Sequence, residues 1–371
     1  MAGVDGGNGL VLAHRGPPPP STRARPVTRR AREEAEEATL AGGATLARGA
    51  GNRLRPEEPD PDRTCFERDR DRILHSSAFR RLAGKTQVFV FPADHQRTRL
   101  THALEVAQVA TAVARAVGLN VALVEAIALG HDCGHGPGGH ACEDAFSPLL
   151  PEGFDHAPFG SDVILAPLNL CSETLDGIRN HSWSRPTPST PEGAVVAWAD
   201  RCAYSAHDLE DAQRAGIVHT EELPPVVKEV AGTSRSAQLR TFITALVTTI
   251  RETGTVGMDS ETASALGALR SFNYERIYTR PESIAQGDAV ISVLRSLVCW
   301  LSEHPEHLPE PADAEELARR YEDGEVGLRR AAVAWVAGMT DRYAFRTAVD
   351  LLGWEPGRLP AGIDLARAQG A

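Results

Sequence analysis

The sequence predicts an all-α fold, and three observations support this. Apolar residues recur every three or four positions in several stretches, as on one face of an α-helix. Polar capping residues and glycines stand where these stretches begin and end. Convincing alternation of apolar and polar residues, the pattern of a half-buried strand, is absent, and residues 88–91 are at most a short extended piece.

The predicted helices follow one another along the chain after an N-terminal tail, residues 1–50, which contains prolines at 17–20 and is expected to be flexible. Gly118 ends one helix and Asn120 caps the next. The last residues of that second helix lead directly into His131 and Asp132. The predicted helical stretches are 32–40, 101–117, 121–129, 194–209, 239–251, 288–301 and 328–338.

Size and composition limit the class of protein. The chain has 371 residues, 42% of them hydrophobic, which is ordinary for a globular protein. Its net charge of -11 does not favour general binding to nucleic acid. Six scattered cysteines without a CxxC pair argue against a zinc ribbon or disulfide scaffold and favour a reducing compartment. No apolar signal core or window of roughly 20 apolar residues is evident, so we expect a cytoplasmic protein away from membranes.

Residues 130–143, GHDCGHGPGGHACE, place three histidines and two carboxylates in a turn of glycine and proline. Such a turn can direct neighbouring side chains to one point, which predicts a functional site. The GxGxxG letters within it are not a dinucleotide fingerprint, because a helix rather than a strand precedes them. The letters Gly84, Lys85 and Thr86 are not a P-loop either, since Phe79 occupies the position of its first glycine.

Two histidines and two aspartates on or after apolar helices are candidate metal ligands: His102, His131, Asp132 and Asp200. Mixed nitrogen and oxygen ligands suit Mn, Fe, Mg or Zn. A histidine such as His102 is, by itself, more often a core residue with its hydrogen bonds satisfied. An aspartate on a buried helix, as at Asp200, needs a cation or a donor. Together the four residues favour a metal site.

The order His102, His131-Asp132, Asp200 resembles the H…HD…D signature of HD-domain metal phosphohydrolases. Further blocks are similar to the deoxyguanosine triphosphate triphosphohydrolase family, in the same order, over about residues 53 to 352. These blocks are RDRDRILHSSAFRRL at 68–82, KTQVF at 85–89, RTRLTH at 97–102, DRCAYSAHDL at 200–209 and AGMTDRYA at 337–344.

The resemblance implies an HD-domain helical core at residues 51–220, with additional C-terminal helices at 221–371 packed on it. It implies hydrolysis of deoxynucleoside triphosphates, dGTP-like, at the α-phosphate to a deoxynucleoside and tripolyphosphate, with a divalent ion (Mn, Mg or Fe) as cofactor. Family members assemble as tetramers or hexamers and some are activated by dNTPs, so a homo-oligomer is expected. Two alternatives stay open: an HD phosphohydrolase acting on another nucleotide, and a nucleotide sensor without turnover.

The resemblance also implies roles for individual residues around the scissile bond. His102, His131, Asp132 and Asp200 would bind the metal. Beside the scissile bond, His140 would position the attacking water or protonate the departing 5′-oxygen, and Glu143 would orient the His140 imidazole. Two further active-site histidines, His135 and His156, would contact the phosphates.

Other matching positions would bind the substrate. Arg99 and Arg201 would neutralise triphosphate charge. Tyr204 would crowd the 2′ position and Asp208 would take the 3′-hydroxyl. The two residues expected against the base are Gln87 and Val88.

The sequence departs from the family pattern at two positions. Gly138 replaces an aromatic residue and Ala157 replaces an asparagine, which affects the expected shape of the pocket. The histidines that receive no predicted role are His75, His181, His207 and His219.

Overall fold

A computed structural model of the chain describes residues 3–5, 7, 9–14, 25–92, 95–311, 317–318, 320–321 and 323–361. The all-α prediction is confirmed over these residues. The α-helices are α1 Arg29–Thr39, α2 Cys65–His75, α3 Ser77–Arg81, α4 Arg99–Val117, α5 Val121–Gly130, α6 Ala141–Phe146, α7 His156–Phe159, α8 Ser172–Arg179, α9 Pro191–Arg214, α10 Arg235–Thr253, α11 Ser260–Asn273, α12 Pro281–Glu303, α13 Glu325–Ala337 and α14 Asp341–Leu352.

Short elements connect these helices. A two-stranded antiparallel hairpin pairs β1 Val4–Asp5 with β2 Val11–Leu12. The π-helical segments of the described residues are Gly160–Ile164, Val227–Ala231 and Tyr274–Tyr278. The 3₁₀ turns are Leu82–Gly84, Ser147–Leu149, Ala166–Leu168, Thr220–Glu222, Pro305–His307 and Pro356–Arg358. The prolines at 17–20 lie outside the described residues.

Local capping explains where the helices around the site begin and end. Helix α4 stops at Gly118, whose φ of 76° is left-handed and suits glycine. The Asn120 side chain accepts a hydrogen bond from Leu123 N at 3.3 Å and starts α5. Helix α9 is longer than predicted, because Thr190 caps it and Pro191 occupies its first position. Helices α2, α11 and α14 were not predicted from the sequence.

Within the described parts of the chain, buried apolar side chains form two clusters. The first includes side chains of α2, α4, α5, α8, α9, α10 and α11, and the second includes α6, α12, α13 and α14. Helices α10 and α11 therefore pack with the helices before residue 220, while α6 packs with the C-terminal helices. The predicted boundary at residue 220 divides the chain into a catalytic core and a C-terminal part, and this division stays a prediction.

The described end of the predicted N-terminal tail contacts the helical core. Glu36, on α1, accepts hydrogen bonds from Ala47 N at 2.7 Å and from Asn120 Nδ2 at 3.1 Å. Glu192, on α9, accepts hydrogen bonds from Thr45 N at 3.0 Å and from Thr45 Oγ1 at 2.7 Å. The two carboxylates tie this segment to α5 and α9, which the sequence did not suggest.

Helix α12 corrects the expectation that the chain has no apolar stretch as long as a membrane span. With 23 residues and a mean hydropathy of 1.4 in its apolar window, it is long and apolar enough to cross a membrane by those two measures alone. Core helices of soluble proteins meet the same criterion. Its buried side chains, among them Val290, Leu294 and Leu297, belong to the second cluster and pack against α6 and α13.

Candidate active site

A cavity of about 560 Å³ opens between the helices of the two clusters. This size suits a small-molecule ligand. Every predicted site residue except His131 and Glu143 lines the cavity. The lining residues that were predicted are Gln87, Val88, Arg99, His102, Asp132, His135, His140, His156, Asp200, Arg201, Tyr204 and Asp208.

The four predicted metal ligands lie together at one side of this cavity. His102 comes from α4, His131 and Asp132 follow the last residue of α5, and Asp200 comes from α9. His102 Nε2 lies 3.0 Å from Asp200 Oδ1 and 3.8 Å from Asp132 Oδ2. His131 Nε2 lies 3.5 Å from Asp132 Oδ1 and 3.7 Å from Asp200 Oδ1. Three helices thus bring two imidazoles and two carboxylates to one point.

The hydrogen bonds of His131 show that this cluster fits a divalent cation. His131 Nδ1–H donates to Ala128 O at 2.7 Å, so Nε2 carries the lone pair. That buried Nε2 has no hydrogen-bond partner among the residues that the structure describes. A buried nitrogen acceptor directed at carboxylate oxygens is costly unless a cation or a proton lies between them. Metal-binding histidines commonly anchor the other ring nitrogen in this way.

Both aspartates are held in the ionised form that a cation requires. Burial favours a higher pKa for Asp132, but Arg99 and the neighbouring histidines outweigh it and hold its pKa well below the usual range. Burial likewise opposes ionisation of Asp200, but the hydrogen bond from His102 and the nearby imidazoles lower its pKa to about 2. The cluster therefore carries negative charge at neutral pH.

Arg99 places a buried positive charge next to the cluster. Its Nη1 donates to Asp132 Oδ2 at 2.7 Å, and the residue is only 2% exposed. Its Nε and Nη2 have no hydrogen-bond partner within the described parts of the chain. Unpaired donors on a buried guanidinium are suited to an anionic group such as a phosphate.

A carboxylate links two of the predicted catalytic histidines. Glu143 Oε2 lies 3.1 Å from Nδ1 of His140, and Oε1 lies 2.7 Å from Nδ1 of His156. Burial opposes ionisation of Glu143, but these histidines outweigh it and lower its pKa far below the usual range. The His140 side chain is 73% exposed, while His135 stacks on His156 with ring centroids 3.7 Å apart. Glu143 therefore orients both imidazoles.

The glycine turn has a conformation and a packing environment that explain Gly138. Its φ is +73°, in the left-handed region, and a Cβ there would lie 2.3 Å from Val290 Cγ1. Its N–H donates to Asp341 Oδ1 at 2.9 Å, and Asp341 Oδ2 also accepts from Thr86 Oγ1 at 2.6 Å. The α12 side chain fills the space beside this glycine, and α14 supplies the acceptor that anchors the turn.

Further polar groups line the same cavity. Tyr204 OH accepts a hydrogen bond from Arg270 Nε at 3.1 Å, and Tyr278 OH donates to Asp208 Oδ2 at 2.5 Å. Burial raises the pKa of Asp208 to about 7, although the Tyr278 bond lowers it. The Arg201 guanidinium lies 3.5 Å over the Trp183 ring. Gln87 Oε1 and Asp208 Oδ1 have no hydrogen-bond partner in the part of the chain described here.

Sequence reasoning missed several residues that line the cavity: His181, Trp183, Arg270, Tyr274 and Tyr278. A usable signal existed for His181, which lies two residues after the end of α8, close to a helix end as His131 is, and which donates its Nδ1–H to Ile178 O at 2.7 Å. No local pattern identified Arg270 or Tyr278, because α11 and the π-helical segment after it were not predicted.

The helical fold agrees with a phosphohydrolase of the HD class, and the buried His/Asp cluster is suited to a metal ion. Residues 99–205 match the HD domain, and residues 256–349 match the phosphohydrolase-associated domain.

The chain belongs to the deoxyguanosinetriphosphate triphosphohydrolase-like family. It is 40% identical over 319 residues to a protein of that name from Caldanaerobacter subterraneus, covering 84% of this chain and 92% of the relative. It is 40% identical over 306 residues to one from Clostridium perfringens, covering 78% and 87%. A third, from Deinococcus radiodurans, is 37% identical over 377 residues, with 87% and 99% covered.

Proposed function

We propose that this protein hydrolyses deoxynucleoside triphosphates, dGTP-like, at the α-phosphorus. Water adds to phosphorus, the bond to the 5′-oxygen breaks, and a deoxynucleoside and tripolyphosphate leave. The observation that carries the proposal is that one cavity is lined both by the His/Asp cluster with Arg99 and by Tyr204 and Asp208. The names of the relatives support a nucleotide substrate.

The phosphate end of the cavity would hold the reacting group. His102, His131, Asp132 and Asp200 would hold the divalent ion (Mn, Mg or Fe). When bound, such an ion polarises a phosphate oxygen and lowers the pKa of a bound water. Arg99 would donate its unpaired N–H groups to the triphosphate.

His140 would move the proton that the reaction requires. Its Nδ1 lies at Glu143 Oε2, 3.1 Å away, which leaves Nε2 for the substrate side. From there it takes a proton from the attacking water or gives one to the departing 5′-oxygen. His135 and His156, stacked behind it, would contact phosphate oxygens.

Other residues that line the cavity would bind the nucleoside. Asp208 would accept a hydrogen bond from the 3′-hydroxyl, and the Tyr204 ring would crowd the 2′ position. Gln87 and Val88 would lie against the base, and Arg201 would meet the triphosphate. The proposal also includes a cytoplasmic homo-oligomer, a tetramer or hexamer, with a dNTP as a candidate activator.

The test is to incubate the purified protein with each dNTP and Mn, Mg or Fe(II), and to separate the phosphate products. Tripolyphosphate with deoxynucleoside is expected. Pyrophosphate or orthophosphate would replace the proposal with a different HD reaction. A thermal shift with dNTP but no product, even with mixed dNTPs, would replace it with a nucleotide sensor.

A variant ties the reaction to the cluster. Asp132→Asn keeps the side-chain size but removes the negative charge of a proposed metal ligand, which also pairs with Arg99. Metal binding and turnover should therefore both be lost. His219→Ala, at an exposed histidine, is the control and should keep both. Full activity of Asp132→Asn would overturn the assignment.

A further inference from the structure

The residues that follow α14 return to the cavity and contact the start of α12. Trp354 and Leu359 pack against the second apolar cluster, and Ala361 lines the cavity together with Gln286 of α12. The Ala361 N–H donates a hydrogen bond to Gln286 Oε1 at 2.8 Å. Segment 354–361 therefore forms part of the cavity wall and fixes the position of the Gln286 amide.

This hydrogen bond determines which end of the Gln286 side chain is available to a ligand. A backbone N–H pairs with an acceptor, so the amide oxygen faces Ala361 and Nε2 is the other end. Among the residues that the structure describes, Nε2 has no hydrogen-bond partner. An amide nitrogen is a donor and not an acceptor. Gln286 therefore offers a hydrogen-bond donor to a ligand in the cavity.

The start of α12 packs along segment 86–90, which contains the two residues proposed to lie against the base. The guanidinium of Arg280, the residue before α12, lies 5.9 Å from the centroid of the Phe89 ring. Farther along α12, Val290 belongs to the same buried cluster as Val90. The residues of α12 between these two contacts therefore border the part of the cavity that segment 86–90 lines.

Gln87 supplies a group of the opposite kind in this part of the cavity. Its Oε1 atom is buried and has no hydrogen-bond partner within the described parts of the chain. An unpaired buried acceptor favours a ligand that brings an N–H group. The donor of Gln286 and the acceptor of Gln87 together suit a base edge on which a carbonyl oxygen stands next to a ring N–H. A guanine-type base has this edge, whereas adenine has an amino donor in place of the carbonyl.

We propose that Gln286 selects the base of the substrate by donating Nε2–H to the carbonyl oxygen O6 of a guanine-type base, while Ala361 holds the amide in the required orientation. The inference rests on the proposed function, because it requires a deoxynucleoside triphosphate in the cavity. An adenine amino group at the same place meets the Gln286 amide donor to donor, and both groups then lose a hydrogen bond. Bases that carry O6 are therefore preferred.

The test compares dITP with dATP, because neither carries the 2-amino group and the two differ at position 6 and at the adjacent ring nitrogen. The full chain is incubated with Mn(II) and each nucleotide, and kcat/KM is measured from the release of the deoxynucleoside. The wild-type protein should favour dITP over dATP by about tenfold or more.

A matched variant separates the donor of Gln286 from its contact with Ala361. Gln286→Glu keeps one oxygen for the Ala361 N–H but replaces the Nε2 donor by a second oxygen, which accepts from the adenine amino group. The dITP/dATP ratio of kcat/KM should therefore fall by about tenfold or more. The added charge acts on both nucleotides alike and cancels in the ratio. Gln108→Glu, at an exposed position of α4, adds the same charge and should keep the wild-type ratio.

A wild-type protein that does not favour dITP would overturn the inference, and this result needs no variant to be folded. A dITP/dATP ratio in folded Gln286→Glu equal to that of wild type would also overturn it and would leave Gln286 with the role of holding segment 354–361. Tripolyphosphate formed without preference for dITP removes only this inference. If no tripolyphosphate forms, the proposed reaction is removed, and the ratio of the Kd values from calorimetry tests Gln286 in the same variants. Failure of the wild-type protein to bind either nucleotide removes both proposals.

Discussion

Asp208 should make the protein less stable as the pH rises through the acidic range. Burial raises the pKa of its carboxyl from 3.8 to about 7. Between these values the carboxyl is protonated in the folded chain and ionised in the unfolded chain, so the folded state binds the extra proton. The free energy of unfolding therefore falls as pH rises across this window. A shift of roughly three units, at 1.36 kcal/mol each, corresponds to about 4 kcal/mol.

The Asp208→Asn variant removes this titration while keeping the side-chain size. Near pH 9 the free energy of unfolding of the variant should exceed that of wild type by up to about 4 kcal/mol. Near pH 5 the difference between the two should be smaller. Urea unfolding at both pH values measures the difference, and Asp288→Asn, at an exposed position, should show no such change with pH. The KM for a dNTP should rise in Asp208→Asn. A stability difference that is the same at both pH values would refute the pKa inferred for Asp208.

Three further variants test other parts of the site. His140→Ala should lower kcat by about 10²–10⁴-fold, with bound metal unchanged because His140 contacts Glu143 rather than the cluster; unchanged kcat would contradict its role. Tyr204→Ala should raise kcat/KM for GTP relative to dGTP by about tenfold or more. Tyr204→Phe keeps the ring and should keep the discrimination against GTP. A GTP/dGTP ratio in Tyr204→Ala equal to that of wild type would count against this role of the ring. Gly138→Ala should lower the free energy of unfolding for two reasons. The positive φ should cost about 1–2 kcal/mol, and the clash of the new Cβ with Val290 should add a further loss. In urea unfolding, adding Val290→Ala should recover only the clash part, and full recovery would argue against backbone strain.

Several features of the site were predictable because their causes are local. A glycine after α4 and an asparagine before α5 determine where these helices end and begin, and so where His131 and Asp132 stand. The residue types of His102 and Asp200, on apolar helices, indicated a shared cation because buried charges need partners.

Other features depend on residues far apart in the chain. The approach of His156 to His181 joins the start of α7 to the segment after α8, and the bond from Tyr278 to Asp208 joins a π-helical segment to α9. The anchor of the glycine turn, Asp341, lies 203 residues after Gly138. No spacing within either segment indicates such a contact.

By itself the sequence determined the helical class, the main helices around the site and the chemical types of the candidate ligands, because capping, helical periodicity and side-chain chemistry act over a few residues. Only the tertiary structure decided which lone pairs face one another, which donors of Arg99 are left unpaired, and which side chain fills the space beside Gly138. Those outcomes depend on how whole helices pack, and packing brings together atoms whose positions in the sequence are unrelated.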